Sequence, residues 1–252
     1  MKKILSIGLV ILAAALFFWF RSTKDAKPLS DVLIVGTSAD FPPFSFRGSD
    51  DSITGFDIDI VKEVAQRLGM KVDIQDKPFT TLLPQIELGQ IHVIAAGMTP
   101  TEERAKRVTF TKPYLSSNPL LVVTRSQEVK PTSLEDLKGK TILVNTGYTA
   151  DLYLSSLPAL TLQRLPKVVD ALTALEQGRA DAFVTASNTL LTYVKEGDTR
   201  FNFLPLKETD ESSALALSKE LTPAFFKRVQ ETLDAMDSDG TLATLKKKWN
   251  LT

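Results

Sequence analysis

The chain has 252 residues, with 30 Lys and Arg against 30 Asp and Glu, one His and no Cys. That length allows one large domain or two smaller lobes, and 43% hydrophobic against 24% charged residues is the composition of a globular protein with a sizeable core. The lack of Cys excludes disulfide scaffolds, thiolate metal sites and cysteine nucleophiles; a single His excludes multi-histidine metal centres; formal neutrality argues against a nucleic-acid partner.

Residues 1–27 read as a targeting segment. Met1-Lys2-Lys3 precedes a 17-residue run from Ile4 to Phe20 whose only polar side chain is Ser6, and Arg21-Ser22-Thr23-Lys24 follows. A basic start and an apolar stretch mark a signal peptide or an uncleaved N-terminal membrane anchor, and the run sits between the usual lengths of the two. Ala13-Ala14-Ala15 is the nearest small-residue cleavage signal, and without Cys there is no site for a lipid anchor. Either reading places the rest of the chain outside the cytoplasm. Beyond residue 27 the chain keeps 25 basic and 29 acidic residues, a net charge of −4.

The body alternates strands and helices. Val32–Val35, ended by Gly36, is a short buried strand. Ile58, Val61, Val64, Ala65 and Leu68 fall at helical spacing, with Gly69 where a helix would stop. A strand over 72–74, a helix over 82–88 and a strand over 92–95 follow. After Lys138-Gly139 come a strand at 141–144, a helix at 150–157, a strand at 161–165, a helix at 168–175 and a strand at 182–184. Pro223 to Trp249 makes two amphipathic helices broken at Ser238-Asp239-Gly240. This order predicts an α/β fold with mostly parallel sheets. Glu87-Leu88-Gly89-Gln90-Ile91-His92 also matches Glu176-Gln177-Gly178-Arg179-Ala180-Asp181 when the glycines are aligned. The repeat points to two related lobes with a cleft between them, and it puts His92 opposite Asp181 at a strand start, in a structural role.

Catalytic motifs are absent: there is no G-x-S-x-G, H-E-x-x-H, G-x-x-x-x-G-K-[ST] or G-x-G-x-x-G. Asp50-Asp51 reads as a solvated turn, and Asp57 as a cap for the helix that follows. Four segments fit small-molecule capture instead. Gly36-Thr37-Ser38-Ala39-Asp40-Phe41-Pro42-Pro43-Phe44 is a Pro-stiffened loop at a strand end. Phe79, after Pro78, could pair with Phe41 to sandwich a planar or cationic group. In Ala96-Gly97-Met98-Thr99-Pro100-Thr101-Glu102-Glu103-Arg104 small residues leave backbone accessible, and the Arg fork suits a carboxylate. Asn145-Thr146-Gly147-Tyr148-Thr149-Ala150-Asp151 is a strand–Gly–helix junction whose N–H groups and Thr hydroxyl could hold an anion.

Taken together, these segments resemble the amino-acid-binding proteins of ABC importers, the bacterial extracellular solute-binding proteins of family 3. The resemblance runs from residue 32 to about 249. It rests on Val35-Gly36-Thr37 with Phe41-Pro42-Pro43-Phe44, Gly55-Phe56-Asp57-Ile58-Asp59-Ile60, Gly97 to Arg104, Phe110-Thr111-Lys112-Pro113-Tyr114, Leu134 to Lys140, Gly178 to Ala182 and Asp239-Gly240-Thr241. It implies a two-lobed periplasmic-binding-protein fold of type II, with lobe 1 at 31–118 plus 214–252, lobe 2 at 119–213 and the ligand cleft between them. Arg104 matches the family's carboxylate-binding Arg, helped by groups at Gly97, Met98, Thr99 and Thr149, and Phe41 and Phe79 match its stacking aromatics. Ser38 stands where relatives that bind basic amino acids often carry an acid, with Asp40 two residues on. Where the family usually has the Asp that holds the ligand ammonium, this chain has Ala186. A buried ammonium needs a counter-charge, so Asp210 or Glu211 is expected to supply it, with Asn188 as an uncharged helper.

The resemblance implies a periplasmic, monomeric receptor that captures a free L-amino acid and delivers it to an ABC permease in the inner membrane, with no cofactor, metal or nucleic acid. The aromatics and acids favour a basic ligand, arginine first. Glutamine or another polar amino acid is the alternative, as is a cyclic-acid dehydratase on the same fold, although no carboxylate has a clear catalytic setting in the sequence.

Overall fold

Two five-stranded sheets organise the computed structural model, which describes residues 31–251 apart from Val129, Glu196 and Gly197, and apart from the side chains of Ser117, Lys207, Glu208 and Asp210. The targeting segment of residues 1–27 lies outside the described residues. No described helix is long and apolar enough to cross a membrane.

The chain begins with β1 (Val32–Thr37), β2 (Asp40–Phe41), β3 (Ser45–Arg47), β4 (Ile53–Thr54), α1 (Phe56–Arg67), β5 (Lys71–Asp76), α2 (Phe79–Glu87), β6 (Val93–Ile94), α3 (Glu102–Ala105) and β7 (Val108–Phe110). It continues through β8 (Leu115–Arg125), a 3₁₀ turn at Leu134–Leu137, β9 (Thr141–Asn145), α4 (Thr149–Ser155), β10 (Thr161–Leu165), α5 (Val168–Glu176), β11 (Ala182–Ala186), α6 (Ser187–Tyr193) and β12 (Phe201–Ser213). It closes with β13 (Ala216–Ser218), α7 (Pro223–Ser238) and α8 (Thr241–Lys248). The first sheet has the order β5-β1-β6-β13-β7 and the second β10-β9-β11-β8-β12, with β2, β3 and β4 forming a small ribbon beside the first.

The parallel pairs predicted by the βα alternation are present, β1 with β5 and β6, and β9 with β10 and β11. The sheets are nevertheless mixed. β13 runs antiparallel to β6 and β7, and β8 runs antiparallel to β11 and β12. The two long strands β8 and β12 were not expected, because Pro119 and Pro205 interrupt their apolar patterns. Both connect the sheets, and β12 carries register shifts between Leu206 and Asp210 and between Glu211 and Ser213.

The internal repeat is real at the level of hydrogen bonds. Gly89 and Gly178 both end a helix with positive φ, 67° and 70°, a conformation that a side chain would strain. Three residues on, His92 donates its N–H to the Ile34 carbonyl, and its Nδ1 accepts the Ile34 N–H at 3.1 Å. Asp181 does the same in the second sheet: its N–H donates to the Thr141 carbonyl, and its carboxylate accepts the Thr141 N–H at 2.7 Å. One device thus clips two neighbouring strands together in each sheet, with an imidazole in one copy and a carboxylate in the other.

Cores form where the pattern requires. Leu33, Val35, Phe44, Phe56, Ile60 and Val61 are fully buried around the first sheet, and Val122, Ile142, Leu143, Ala182 and Phe183 around the second. The C-terminal helices return to the first sheet. Arg67 binds Asp239 at 2.6 Å, and the Trp249 indole donates to Asp59 at 2.8 Å. Gly55 starts α1 at a φ of 133°, and a Cβ there would lie 2.2 Å from the Phe44 carbonyl oxygen. Gly55→Ala therefore combines backbone strain with a backbone clash, at a cost of about 3 kcal/mol. Differential scanning calorimetry is expected to show Tm falling by roughly 10 °C; a drop under about 2 °C would show that the loop relaxes freely.

Candidate functional site

The strand ends of the two sheets face each other across a cleft. At its centre is a void of about 20 Å³, room for a single water, bordered by Phe41, Phe79, Gly97 and Arg104 from the first lobe and by Asn145, Tyr148, Thr149, Thr185 and Ala186 from the second, with Glu211 on the connecting strand. Beside it opens an outer pocket of about 460 Å³ bordered by Ser38, Asp40, Asp76, Phe79, Lys77 and Lys167.

Arg104 is placed by short-range rules. Thr101 caps α3, its hydroxyl accepting the Arg104 N–H at 3.2 Å, and the side chain of Arg104 turns inward until only 4% is exposed. Its Nη1 donates to the Thr99 carbonyl at 2.8 Å, and its Nη2 crosses the cleft to the Gly147 carbonyl at 3.0 Å. The guanidinium also lies 5.5 Å above the Phe79 ring. Burial lowers its pKa to about 10, which leaves it charged at neutral pH.

Glu211 faces the same void and is 8% exposed. Burial lifts its carboxyl to about 7, while the Thr149 hydroxyl and the Arg104 charge pull in the other direction. One buried cavity thus brings together a cation and a carboxylate of unusually high pKa, each able to hold one end of a zwitterion. At the mouth, Asp40 is also raised by burial, with a hydrogen bond from Ser38 at 2.7 Å and the Lys167 charge opposing the rise.

The loop from Gly97 to Thr99 is held from behind. The N-cap of α1 is Gly55, so Asp57 is not the cap the sequence suggested. Its side chain is fully buried, and Oδ2 accepts the Gly97 N–H at 2.6 Å. Burial raises Asp57 to about 7. Gly97 itself has a φ of 60°, and a Cβ there would sit 2.8 Å from the Phe41 ring, so only glycine lets the loop lie against that aromatic.

The other predicted residues separate. Phe41 and Phe79 both border the void, and the Tyr148 ring packs against each of them, at 5.1 and 4.5 Å. Ser38 and Asp40 line the outer pocket rather than the void. Thr99 is 9% exposed, and its carbonyl accepts from Arg104. Met98 is 1% exposed and packs with Leu82, Ile86 and Ile94 in the core, so only its backbone borders the loop. Asn188 borders neither pocket; its N–H donates to Asn118 at 2.9 Å. The Asp210 backbone pairs with Pro119, and its side chain lies outside the described residues. Tyr148, Asn145 and Thr185 were missed. The first two lie inside the strand–Gly–helix junction singled out for Thr149, and that proximity was the available signal. Among the described residues, no group of three or more acidic or histidine side chains could hold a metal ion.

The profile of the bacterial extracellular solute-binding proteins, family 3, matches residues 33–252. The chain belongs to this family. Family 3 membership agrees with the two-lobed type II architecture and its cleft. The family 3 protein described here is 32% identical over 260 residues to the arginine-binding extracellular protein ArtP of Bacillus subtilis, covering 99% of this chain and 98% of that one. It is 30% identical over 270 residues to the ABC transporter glutamine-binding protein GlnH of the same organism, covering 99% and 97%. A solved ancestral arginine-binding protein bound to arginine superposes with a TM-score of 0.80 at 32% identity, over 87% of this chain and 98% of that one. All three are binding proteins by name. The family 3 chain is not an enzyme, and its extracellular solute-binding membership makes it an exported protein.

Proposed function

We propose that this chain is the amino-acid receptor of an ABC importer, periplasmic and monomeric, and that it closes on one free L-amino acid, arginine first among basic ones. The observation that carries this reading is the burial of Arg104 and Glu211 in one cavity. A carboxylate at the Arg104 fork and an ammonium at Glu211, beside Thr149, would neutralise both. Glu211 then takes the role that Ala186 cannot, and the lobes divide near 118/119, within β8, and near 213/214, at the end of β12. The raised Asp40 carboxyl, beyond Phe41 and Phe79, supports a cationic tail.

Glutamine or another polar amino acid is the second reading. It is favoured by the Ser38 hydroxyl, which already donates to Asp40, and by the Lys167 charge that already faces it. Titration calorimetry of the chain from residue 28 onward with the twenty amino acids and ornithine separates the two. Arginine is expected to bind tightest with one site, and at 100-fold its Kd to raise Tm by roughly 5–10 °C. Tightest binding of glutamine would select the second reading, and no binding by any L-amino acid would overturn both.

A further inference from the structure

The aromatic slot expected to hold a ligand side chain is filled by the protein itself. Tyr148 comes from the second lobe, just before the first turn of α4, and is 7% exposed. Its ring lies 4.5 Å from that of Phe79 and 5.1 Å, edge-on, from that of Phe41, both of the first lobe. Phe79 borders both the central void and the outer pocket, so a side chain reaching from Arg104 toward Asp40 would run past Phe79 and the Tyr148 ring packed on it.

Tyr148 copies the shape such a side chain would have, an apolar body against two phenylalanines and a polar tip near Ser38 and Asp40. The copy is imperfect. The hydroxyl is buried and close enough to Ser38 and Asp40 to feel them, yet it makes no hydrogen bond of good geometry. An edge-on contact with Phe41 and a tilted one with Phe79 hold Tyr148 in place, while an unsatisfied buried hydroxyl works against it. The preceding Gly147 is fixed, its N–H bonded to Asp151 at 2.9 Å and its carbonyl to Arg104 at 3.0 Å, so the ring turns out by rotation of the Tyr148 side chain alone.

We infer that Tyr148 is a specificity-determining residue that occupies the side-chain slot, so that a long side chain enters only by turning the ring out. A short side chain leaves it in place as the end wall. The inference rests on the amino-acid reading above and adds the residue that sets side-chain length. It also gives two substitutions of opposite sign. Tyr148→Thr removes the occupant, and arginine affinity is expected to rise about fivefold with little change for alanine. Tyr148→Phe keeps the ring and removes the orphan hydroxyl; it is expected to lower arginine affinity about fivefold and to raise Tm. Both are read by calorimetry, with a melting curve for each variant. Weaker arginine binding in both variants would mean that Tyr148 stacks on the ligand, and the proposal would be wrong. A lower Tm for Tyr148→Phe would overturn it independently of any ligand. If no amino acid bound any of the three proteins, the receptor reading would fall, and the melting curves would still decide the place of Tyr148.

Discussion

Arg104→Lys is expected to weaken amino-acid binding by at least about 100-fold while leaving the protein folded. Arg104 already gives one N–H to Thr99 and one to Gly147, at 2.8 and 3.0 Å, and it borders the void with donors to spare. An ammonium on a flexible stem keeps the charge but cannot serve two carbonyls and both oxygens of a carboxylate in one plane. Losing two hydrogen bonds to a charged group costs roughly 3 kcal/mol or more, and that is about a hundredfold in Kd. Calorimetry with the best ligand measures it, alongside a melting curve. Unchanged affinity would mean that the carboxylate is held elsewhere in the cleft. The same substitution tests the closed geometry, because Arg104 Nη2 bridges the lobes.

Glu211→Gln is expected to cost at least about 30-fold in affinity at pH 8 and to flatten the pH profile of binding. Truncating one partner of a buried charge pair costs about 2 kcal/mol or more. The profile follows from the sign of the shift. With the carboxyl raised to about 7, Glu211 is neutral in acid and cannot balance an ammonium, so wild-type affinity rises with pH through about 7 and levels off above it. A wild-type profile flat from pH 5.5 to 8.5 would remove Glu211 from the ammonium role. Stability runs in the opposite sense. A carboxyl raised above its usual 4.5 stabilises the fold fully below that value and loses the contribution as pH rises through about 7. Asp57, raised from 3.8 to about 7, acts in the same direction. Ligand-free Tm is therefore expected to fall between pH 5 and 8.

Much of this was legible in the sequence because it was local. The helix over Phe56–Arg67, the strand Thr161–Leu165 and the break between the last two helices follow from apolar spacing and glycine positions. The glycine-matched repeat foretold the paired roles of His92 and Asp181 because both act on the strand beside them. What escaped was non-local. β12 reads as a charged loop through Lys207-Glu208-Thr209-Asp210-Glu211, and only its long pairing with β8 makes it a strand. Asp57 looked like a cap because the sequence gives no sign of Gly97, forty residues on. Tyr148 is a lone aromatic without periodicity, and its position depends on two phenylalanines from the opposite lobe.

The place of β13 in the first sheet has a consequence for how the molecule is made. Its residues, Ala216–Ser218, lie between β6 and β7, which both come more than a hundred residues earlier. A chain emerging from its N-terminus therefore holds an unfinished sheet until nearly all of it has arrived. The second sheet draws every strand from one continuous stretch, β8 to β12, and can close first. For an exported protein this ordering is useful. The half that would otherwise fold early is kept open by its own topology, while its nucleus waits for a strand still to come.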